Sequence, residues 1–329
     1  MRSEPVAETP HGVVRCYSFL PASDSYLEDV LDGLARTPKR ISSRYCLDEK
    51  GSRLYAALCD QPECYLMQAE VTILRDNLAA IAQFVGQEAE LIELRAGIGV
   101  QTALLLGELR PAVYAPIDVD RSMLDAVSRE LADLFPWLNI SGIHADICRP
   151  LALPEFVGLP IRKKAVFLPG SVIGSFAPVE ALGVLRNARR LAGKGGVLLA
   201  GIDLKKHAGK IVSAYNDANE MNAALHLNLL ARINHELGGD FQPNRFSYRT
   251  SYDDTKGRVE MFLDSRYAQI VHVGQRRFDF AYNETIETGI AYQYGIAEFQ
   301  ALAADAGFAS QAVWTDAAQL FSIHGMIAV

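Results

Sequence analysis

The sequence predicts an α/β fold with a doubly wound, parallel central sheet, and three observations support this prediction. A short apolar segment with one acid, residues 91–94, is followed by two glycines and then by a helical pattern. Strand, glycine turn and helix in this order are typical of the entrance to such a sheet. Two later apolar segments, residues 113–120 and 140–147, end in or near an aspartate. Because ligands of this fold class bind at the carboxyl ends of the strands, these acids are candidate contacts.

The turn after the first strand and the acids that follow it favour a nucleoside ligand. Gly97 and Gly99 let a ligand approach the backbone, and the helix beyond them offers free N–H groups. By themselves these glycines are weak evidence, since many tight turns need glycine only for packing. Asp118 is placed to bind ribose hydroxyls, while Asp146 and Ile147 suit the edge and face of an adenine. The sequence has no Gly-x-x-x-x-Gly-Lys phosphate loop, so the pattern favours S-adenosylmethionine (SAM) over a dinucleotide.

The elements before and within this core are expected from composition and periodicity. Residues 1–20 are expected to form a loose leader, and residues 24–36 an amphipathic helix with an Asp/Ser start. A short helix around 53–58 and a longer one over 68–85 precede the core, which runs from about 88 to 205. Within it, further strands are expected over 165–171 and 195–204.

The character of the chain changes from about residue 206. The next stretch is largely helical and ends at Gly238-Gly239, a plausible helix stop. Then follow three strand segments, a helix and a terminal hairpin, over 246–251, 258–273, 276–295, 296–307 and 309–329. The expected organisation is a leader over 1–20, a SAM-binding domain over 21–205 plus 295–329, and an inserted substrate or lid domain over 206–294.

Composition and charge exclude several functional classes. The chain has 329 residues, of which 50% are hydrophobic and 22% charged, as in ordinary globular proteins with a real core. A net charge of −7 gives no nucleic-acid footprint. We find neither an apolar run of membrane-spanning length nor a signal core, so a cytoplasmic location is expected. The five cysteines and seven histidines match no metal-binding spacing, and His226 and His235 are expected on a helix surface.

Several stretches together resemble the histidine-specific Nα-methyltransferases of ergothioneine biosynthesis, over residues 28–329. The stretches that carry the resemblance are GLARTPKRIS, DEKGSRLYAAL, QPECYLMQAE, PIDVDRSML, FLPGSVIGSFAP, AYNDANEMNAALHLNLLARINHELGGDF, RVEMFL and AYQYGIAEFQALAADAGF. The resemblance implies a class I methyltransferase (Rossmann-like) fold with a smaller inserted α/β domain. It also implies SAM as the cofactor, no metal, and a small-molecule substrate between the domains.

On the cofactor side the resemblance is retained at most positions. Gly97, Asp118, Asp146 and Ile147 match residues that bind SAM in that family. Where relatives have a first glycine this chain has Arg95, beside the expected methionine tail, where a guanidinium could hold a carboxylate. Alternatively, Arg95 points to solvent or pairs with an acid such as Glu93. The expected cofactor contacts are Glu93, Arg95, Ala96, Gly97, Asp118, Asp146, Ile147, Gly170 and Ser171.

On the substrate side the family's pattern is mostly lost. Leu47, Cys64 and Ser175 replace an aromatic residue, a tyrosine and an asparagine, whereas Tyr65 and Tyr215 remain. The glutamate and serine that hold the imidazole in the family correspond here to Gly289 and Ala291. A site that hydrogen-bonds a group discriminates strongly by that group, and a buried charge needs partners. Histidine is therefore not expected to be a substrate.

Three functions are consistent with these residues. The first is an enzyme of secondary metabolism that cyclises SAM to azetidine-2-carboxylate and releases methylthioadenosine. Tyr65, Ser175, Tyr215 and Tyr292 are its candidate catalytic residues, because aromatic faces attract a sulfonium and hydroxyls accept from an amine. The second is N-methylation of a small amine or amino acid other than histidine. The third, a binding protein without catalysis, is disfavoured by the retained Asp118 and Asp146. Arg95 alters the cofactor tail as well as the substrate site, which favours the first.

Overall fold

The computed structural model describes residues 2–9, 12–20, 25–96, 99–154, 156 and 158–329. The chain forms two compact units. Unit 1 comprises Met1–Leu20, Leu66–Lys205 and Gln293–Val329, and unit 2 comprises Pro21–Tyr65 and Lys206–Tyr292. Of the described helices, none is long and apolar enough to cross a membrane.

The regular elements are numbered in chain order. The strands are β1 (Arg2–Thr9), β2 (Gly12–Ser18), β3 (Lys39–Arg40), β4 (Ala89–Leu94), β5 (Val113–Asp118), β6 (Ile140–His144), β7 (Lys163–Leu168), β8 (Val197–Asp203), β9 (Phe246–Asp253), β10 (Arg258–Ser265), β11 (Gln269–Val273), β12 (Arg276–Phe280), β13 (Thr285–Tyr292), β14 (Phe308–Thr315) and β15 (Phe321–Ala328). The helices are α1 (Ser25–Leu34), α2 (Glu49–Cys59), α3 (Tyr65–Val85), α4 (Val100–Leu109), α5 (Arg121–Leu134), α6 (Pro178–Ala192), α7 (Ala208–Tyr215), α8 (Met221–Leu237) and α9 (Ile296–Asp305).

Unit 1 is built on one large sheet with the strand order β1-β2-β6-β5-β4-β7-β8-β15-β14. The strands from β2 to β8 in this order are parallel, while β15 is antiparallel to both β8 and β14. The chain moves outward from β4 in one direction to β5 and β6, and then in the other to β7 and β8. This reversal is the switch point at which such sheets bind ligands. The α/β fold predicted from the sequence is confirmed.

The prediction of a loose leader over residues 1–20 is wrong. Strands β1 and β2 form an antiparallel pair, and β2 is hydrogen-bonded in parallel to β6. Val14 and Cys16 are buried while Arg15 between them is exposed. This alternation is the pattern of a half-buried strand. The segment is therefore an integral part of the sheet.

The core of unit 1 lies where α3 and other helices cover the central strands. Every residue of β4 is buried, including Leu91. On α3, Ile73, Leu74, Ile81 and Val85 are buried and belong to the same apolar cluster as Leu91. Full burial of such a side chain stabilises by roughly 1.5–3 kcal/mol. This packing holds the carboxyl ends of the central strands in fixed positions.

Unit 2 contains a four-stranded sheet, β3-β13-β10-β9, a two-stranded ribbon, β11-β12, and the helices α1, α2, α7 and α8. Its core joins Val30 and Leu34 of α1 to Leu229 and Ile233 of α8. Residues 25–65, which the sequence predicts within the SAM-binding domain, instead bury apolar side chains in the core of unit 2. The boundary near residue 294 lies at Tyr292.

Two details of unit 2 shape its sheet and helices. The N-cap of α2 is Asp48, whose Oδ1 accepts from Gly51 N at 2.6 Å and from Asn228 Nδ2 at 2.8 Å. In β10 the expected alternation is present, with Val259, Met261 and Leu263 buried. The pairing of β10 with β13 changes register so that Met261 faces Gly289 while Phe262 faces Glu287. Thr288 is thus the extra residue of a β-bulge.

Candidate functional site

Asp118, the expected ribose acid, ends strand β5. Its Oδ1 accepts a hydrogen bond from the backbone N–H of Asp120 at 2.8 Å. Burial raises the pKa of Asp118 to about 6, while the Asp120 N–H and the Arg95 guanidinium lower it. The carboxylate is therefore ionised at neutral pH and protonates as the pH falls through about 6. An ionised acid at the end of this strand fits a pair of ribose hydroxyls.

Arg95 follows the last residue of β4 and has a left-handed backbone conformation with φ 61. An L-residue other than glycine is strained there by roughly 1–3 kcal/mol. The alternative of an ion pair with Glu93 is not observed among the described residues. Instead the positive charge of Arg95 acts on Asp118. Gly97 and Ile98, which follow Ala96, lie outside the described residues, so the prediction for Gly97 remains a prediction.

Glu93 lies within the protein and not at its surface, and its predicted contact with the cofactor remains a prediction. The carboxylate accepts from Thr102 Oγ1 at 3.0 Å and 2.9 Å, and from the Tyr114 hydroxyl at 2.8 Å. Only 1% of Glu93 is exposed. Its physical role is to join β4, β5 and the first turn of α4 under the loop. Nearby, Ala96 is buried and its N–H donates to Ile117 O at 3.0 Å.

Asp146 and Ile147 follow β6, as expected for adenine contacts. Asp146 Oδ1 accepts from Cys148 N at 2.9 Å, and its Oδ2 lies 3.8 Å from Arg149 Nε. Ile147 is buried, and its carbonyl oxygen accepts from Asn187 Nδ2 at 3.0 Å. The turn is thereby fixed with a carboxylate next to an apolar side chain. The carboxylate can accept from the amino group at the polar edge of an adenine, and the apolar side chain suits its flat face.

Gly170 and Ser171 form the turn after β7, with φ 60 and φ 55. Ser171 Oγ accepts from Asp203 N at 3.0 Å, and Asp203 Oδ2 accepts from Gln293 Nε2 at 3.1 Å. Ser175 ends the short 3-10 turn that follows and is half-buried. The expected cofactor positions of unit 1 thus lie on consecutive loops at one edge of the sheet.

In unit 2, Tyr65 is buried and its ring already faces a cation. Lys206 Nζ donates to the Tyr65 hydroxyl at 2.8 Å and lies 4.3 Å from the ring centroid. A second lysine, Lys210, has its Nζ 5.5 Å from the same centroid. The sequence prediction places the sulfonium of SAM at an aromatic ring such as Tyr65, and in the structure the two lysines lie at this ring. The predicted role of Tyr65 toward the sulfonium remains a prediction.

The other two predicted tyrosines differ in their surroundings. The Tyr292 hydroxyl accepts from Arg258 Nη1 at 2.9 Å, and the Arg258 guanidinium lies 5.3 Å from its ring centroid. Tyr215 is half-buried, and its carbonyl oxygen accepts from the Tyr248 hydroxyl at 2.8 Å. Its side chain packs with Ala291 against an apolar cluster of Ile211, Val259 and Met261.

The surroundings of Gly289 are filled by the chain itself. A Cβ atom at this position would lie 3.1 Å from Met261 Cε, 3.4 Å from Ser43 Cβ and 3.6 Å from His226 Cε1. Glycine and alanine provide no polar side chain at positions 289 and 291, and Ala291 packs against the apolar cluster. The two positions that hold an imidazole in the resembling family therefore carry neither a carboxylate nor a hydroxyl here, and Met261, Ser43 and His226 lie next to Gly289.

His226 is buried, so the prediction that it lies on a helix surface is wrong; His235 is exposed as expected. Thr288 Oγ1 donates to Met261 O at 3.3 Å, so the His226 Nδ1–H donates to Thr288 Oγ1, at 2.8 Å. The imidazole stacks on Tyr248 with the ring centroids 5.0 Å apart. Burial lowers the pKa of His226 to about 4. Sequence reasoning missed it because its partner, Thr288, is provided by a distant strand.

No group of three or more histidine, cysteine, aspartate or glutamate side chains suited to a metal ion exists within the described part of the chain. The sheet order, the antiparallel β15 and the carboxylates after β5 and β6 define the fold of class I SAM-dependent methyltransferases. The chain belongs to the family of histidine-specific, SAM-dependent methyltransferases, whose sequence model matches residues 26–328. It is therefore an enzyme of the transferase type, and SAM is its cofactor, as predicted.

Individual relatives share most of their length with this chain. The histidine N-alpha-methyltransferase of Mycolicibacterium smegmatis is 32% identical, over 92% of this chain and 94% of that protein. The N-methyltransferase fsqC of Aspergillus fumigatus is 26% identical, over 81% of this chain and 74% of that protein. A solved structure of a SAM-dependent methyltransferase from Clostridium acetobutylicum aligns with 86% of this chain and 92% of that chain, at a TM-score of 0.44 and 12% identity.

Proposed function

We propose that this enzyme uses SAM as its only substrate and closes its methionine tail to azetidine-2-carboxylate, with release of methylthioadenosine. The observation that carries the proposal is that Gly289 and Ala291 of unit 2 offer neither a carboxylate nor a hydroxyl, with Met261 next to both. These are the positions at which the resembling family holds the imidazole of histidine.

Histidine is disfavoured by the chemistry of these two positions. A Cβ at Gly289 would already lie 3.1 Å from Met261 Cε, so the site has neither a carboxylate nor space prepared for one. Ala291 offers no hydroxyl and packs against Val259 and Met261. Leaving the imidazole N–H groups without partners costs roughly 1–3 kcal/mol for each buried group. A substrate without an imidazole does not need such partners, so the lack of a carboxylate and a hydroxyl at these positions agrees with SAM as the only substrate.

The proposed reaction is an intramolecular displacement. The neutral α-amine nitrogen of SAM attacks its own γ-carbon and forms a C–N bond. The bond between this carbon and sulfur breaks, and its electron pair converts the sulfonium to the thioether of methylthioadenosine. The extra proton on the new ring nitrogen leaves to water. No second substrate is needed, and proximity of the reacting atoms can contribute roughly 7–11 kcal/mol of rate acceleration.

Residues of this chain supply three requirements of that reaction. Asp118 and Asp146 hold the adenosine half. Arg95, which replaces a glycine of the family, holds the carboxylate of the tail and so restricts its conformations. Ser175 accepts from the amine and orients its lone pair.

N-methylation is the second candidate function, and the relatives favour it. The relatives at 32% and 26% identity are named as a histidine N-alpha-methyltransferase and an N-methyltransferase. In this reaction the methyl group leaves SAM for the nitrogen of histidine or of another small amine, and the nucleoside product is S-adenosylhomocysteine. The two functions therefore differ in which carbon–sulfur bond of SAM breaks.

The products distinguish these functions. Purified enzyme is incubated with SAM alone, with SAM and histidine, and with SAM and a panel of small amines and amino acids, followed by mass spectrometry. We expect methylthioadenosine and azetidine-2-carboxylate in equal amounts in every incubation, above the spontaneous decay measured with Asp118→Ala. Formation of S-adenosylhomocysteine as the only nucleoside product, with any acceptor, overturns the cyclisation and establishes methyl transfer.

A further inference from the structure

Glu70 on α3 is a fully buried acid that none of the roles above uses. Its side chain has 0% exposure. Both carboxylate oxygens accept from the backbone N–H of Gly170, at 2.9 Å and 3.0 Å, and Oε2 accepts from Gln101 Nε2 at 3.1 Å. Buried carboxylates are rare unless they are bound by strong donors, so this arrangement calls for a function.

The two partners of Glu70 belong to two different elements at the ligand edge of unit 1, a helix and a turn. Gly170 is in the turn after β7, next to Ser171. Gln101 is in the first turn of α4, directly after the loop that contains Gly97 and Gly99. A Cβ on Gly99 would lie 2.6 Å from Gln101 Oε1, so the Gln101 amide rests against this loop with its oxygen. Its nitrogen faces Glu70. The Glu70 carboxylate therefore connects the first turn of α4 with the turn after β7.

The space around Glu70 is restricted to this one arrangement. A Cβ on Gly201 of β8 would lie 2.1 Å from Glu70 Oε1 and 3.0 Å from Phe321 Cε1 of β15. Among the described residues, the groups that face the carboxylate are Gln101 of α4, Gly170 of the β7 turn and Gly201 of β8, with Phe321 of β15 next to Gly201, and none of these is titratable. Burial raises the pKa of Glu70 to about 7, while Gln101 and the Gly170 N–H lower it.

We propose that Glu70 is a positioning residue for SAM, which holds the first turn of α4 and the turn after β7 in the geometry that binds the cofactor. The proposal depends on the use of SAM and is independent of whether SAM is cyclised or donates a methyl group. Only the carboxylate suits both donors. A protonated Glu70 would donate its proton to the Gln101 amide oxygen, which now lies next to Gly99. For this the Gln101 amide has to rotate, and its NH₂ group would then lie next to Gly99.

The test compares Glu70→Gln with a matched control, Glu90→Gln. Glu90 is also a buried glutamate of unit 1, but it lies at the amino end of β4 and pairs with Lys164 Nζ at 3.2 Å. The dissociation constant of SAM is measured by calorimetry for both variants and the wild type between about pH 6 and pH 8.5. The thermal unfolding of each protein is recorded beside it.

At about pH 8 we expect Glu70→Gln to bind SAM roughly tenfold to a hundredfold more weakly than the wild type, since hydrogen bonds to a charged group are lost. The wild type should lose affinity as the pH falls through about 7, and Glu70→Gln should lack this component. Glu90→Gln should match the wild type in both respects. Wild-type affinity and an unchanged pH profile in Glu70→Gln overturn the proposal. A lower unfolding temperature with an unchanged pH profile also overturns it, since it indicates a structural role only.

If Glu70→Gln does not fold, Gln101→Ala decides the question. This variant leaves the carboxylate in place and removes the link to α4. Weaker binding of SAM with an altered pH profile supports the proposal, and wild-type values for both overturn it.

Discussion

Replacing Arg95 by the family's glycine should stabilise the protein and inactivate it at the same time. Arg95 has φ 61, whereas glycine adopts this conformation without steric cost. Relief of roughly 1–3 kcal/mol of strain is partly offset by the roughly 0.5–1 kcal/mol of backbone entropy that glycine loses on folding. We therefore expect Arg95→Gly to gain about 1 kcal/mol in the free energy of unfolding.

This gain should depend on pH because Arg95 also acts on Asp118. Burial raises the pKa of Asp118 from 3.8 to about 6, so its ionisation destabilises the fold as the pH rises through this window. The Arg95 charge lowers that pKa and reduces the penalty. Near pH 5, where Asp118 is mostly protonated, the strain relief should appear almost alone. At pH 8 the gain should be smaller. Urea unfolding at both pH values measures the difference.

The activity of Arg95→Gly should change in the opposite direction. In the proposed cyclisation the guanidinium holds the carboxylate of the tail, so its removal should release the tail, and a misplacement of about 1 Å can cost roughly a hundredfold in rate. SAM should still bind through Asp118 and Asp146. Methylthioadenosine release, followed by liquid chromatography, measures the rate.

Arg110→Gly is the matched control for this experiment. Arg110 also has a left-handed backbone, with φ 42, but it caps the far end of α4. It should gain stability with normal turnover. Undiminished methylthioadenosine release in Arg95→Gly would refute the role of Arg95, and a loss of more than about 1 kcal/mol near pH 5 would refute the strain argument.

Three further predictions concern other residues. Asp118→Ala should weaken SAM binding at least about a hundredfold, because two charge-assisted bonds are lost, each worth roughly 1.5–3 kcal/mol; wild-type affinity by calorimetry would show that the ribose lies elsewhere. Burial lowers the pKa of His324 from 6.5 to about 4, so its protonation in the unfolded state destabilises the fold as the pH falls below about 6.5. When the pH is lowered from about 7.5 to about 5, the free energy of unfolding should fall by about 2 kcal/mol less in His324→Leu than in the wild type. Urea titrations at both pH values measure this difference, and an equal fall in both proteins contradicts the prediction. Asp48→Ala removes the acceptor for Gly51 N and should lower the free energy of unfolding by roughly 1–2 kcal/mol, whereas an unchanged midpoint would show that the cap is dispensable.

The central part of unit 1 could be predicted from the sequence because its signals are local. The apolar segments of β4 to β8 and their terminal acids lie within a few residues of each other. Residues 1–20 were not recognised as strands, because β2 is stabilised by β6, which is distant in the sequence. Ser18 Oγ, for example, lies 2.9 Å from His144 Nδ1, although the two residues are 126 positions apart. Alternation at Val14 and Cys16 was the signal that could have shown a strand.

Residues of the candidate site show the same division between local and distant information. Asp118 and Asp146 are at the strand ends at which their sequence positions put them. Glu93 also ends a strand, but its partner Tyr114 comes from the neighbouring strand, and no sequence pattern gives that pairing. The burial of His226 likewise depends on Thr288. Glu70 is the last residue of the stretch QPECYLMQAE, and no local pattern there indicates its contact with Gly170, which is 100 residues away in the sequence.

The order of strands in unit 1 has a consequence for biosynthesis. β15 lies between β8 and β14, and it pairs with a strand made more than a hundred residues before it, Val197–Asp203 against Phe321–Ala328. Until those last residues leave the ribosome, β8 has an open edge of unpaired N–H and C=O groups. Such edges pair with other chains and favour aggregation. Contacts of this sequence separation also form slowly. Truncation within residues 321–328 should therefore affect the solubility of the nascent protein before it affects catalysis.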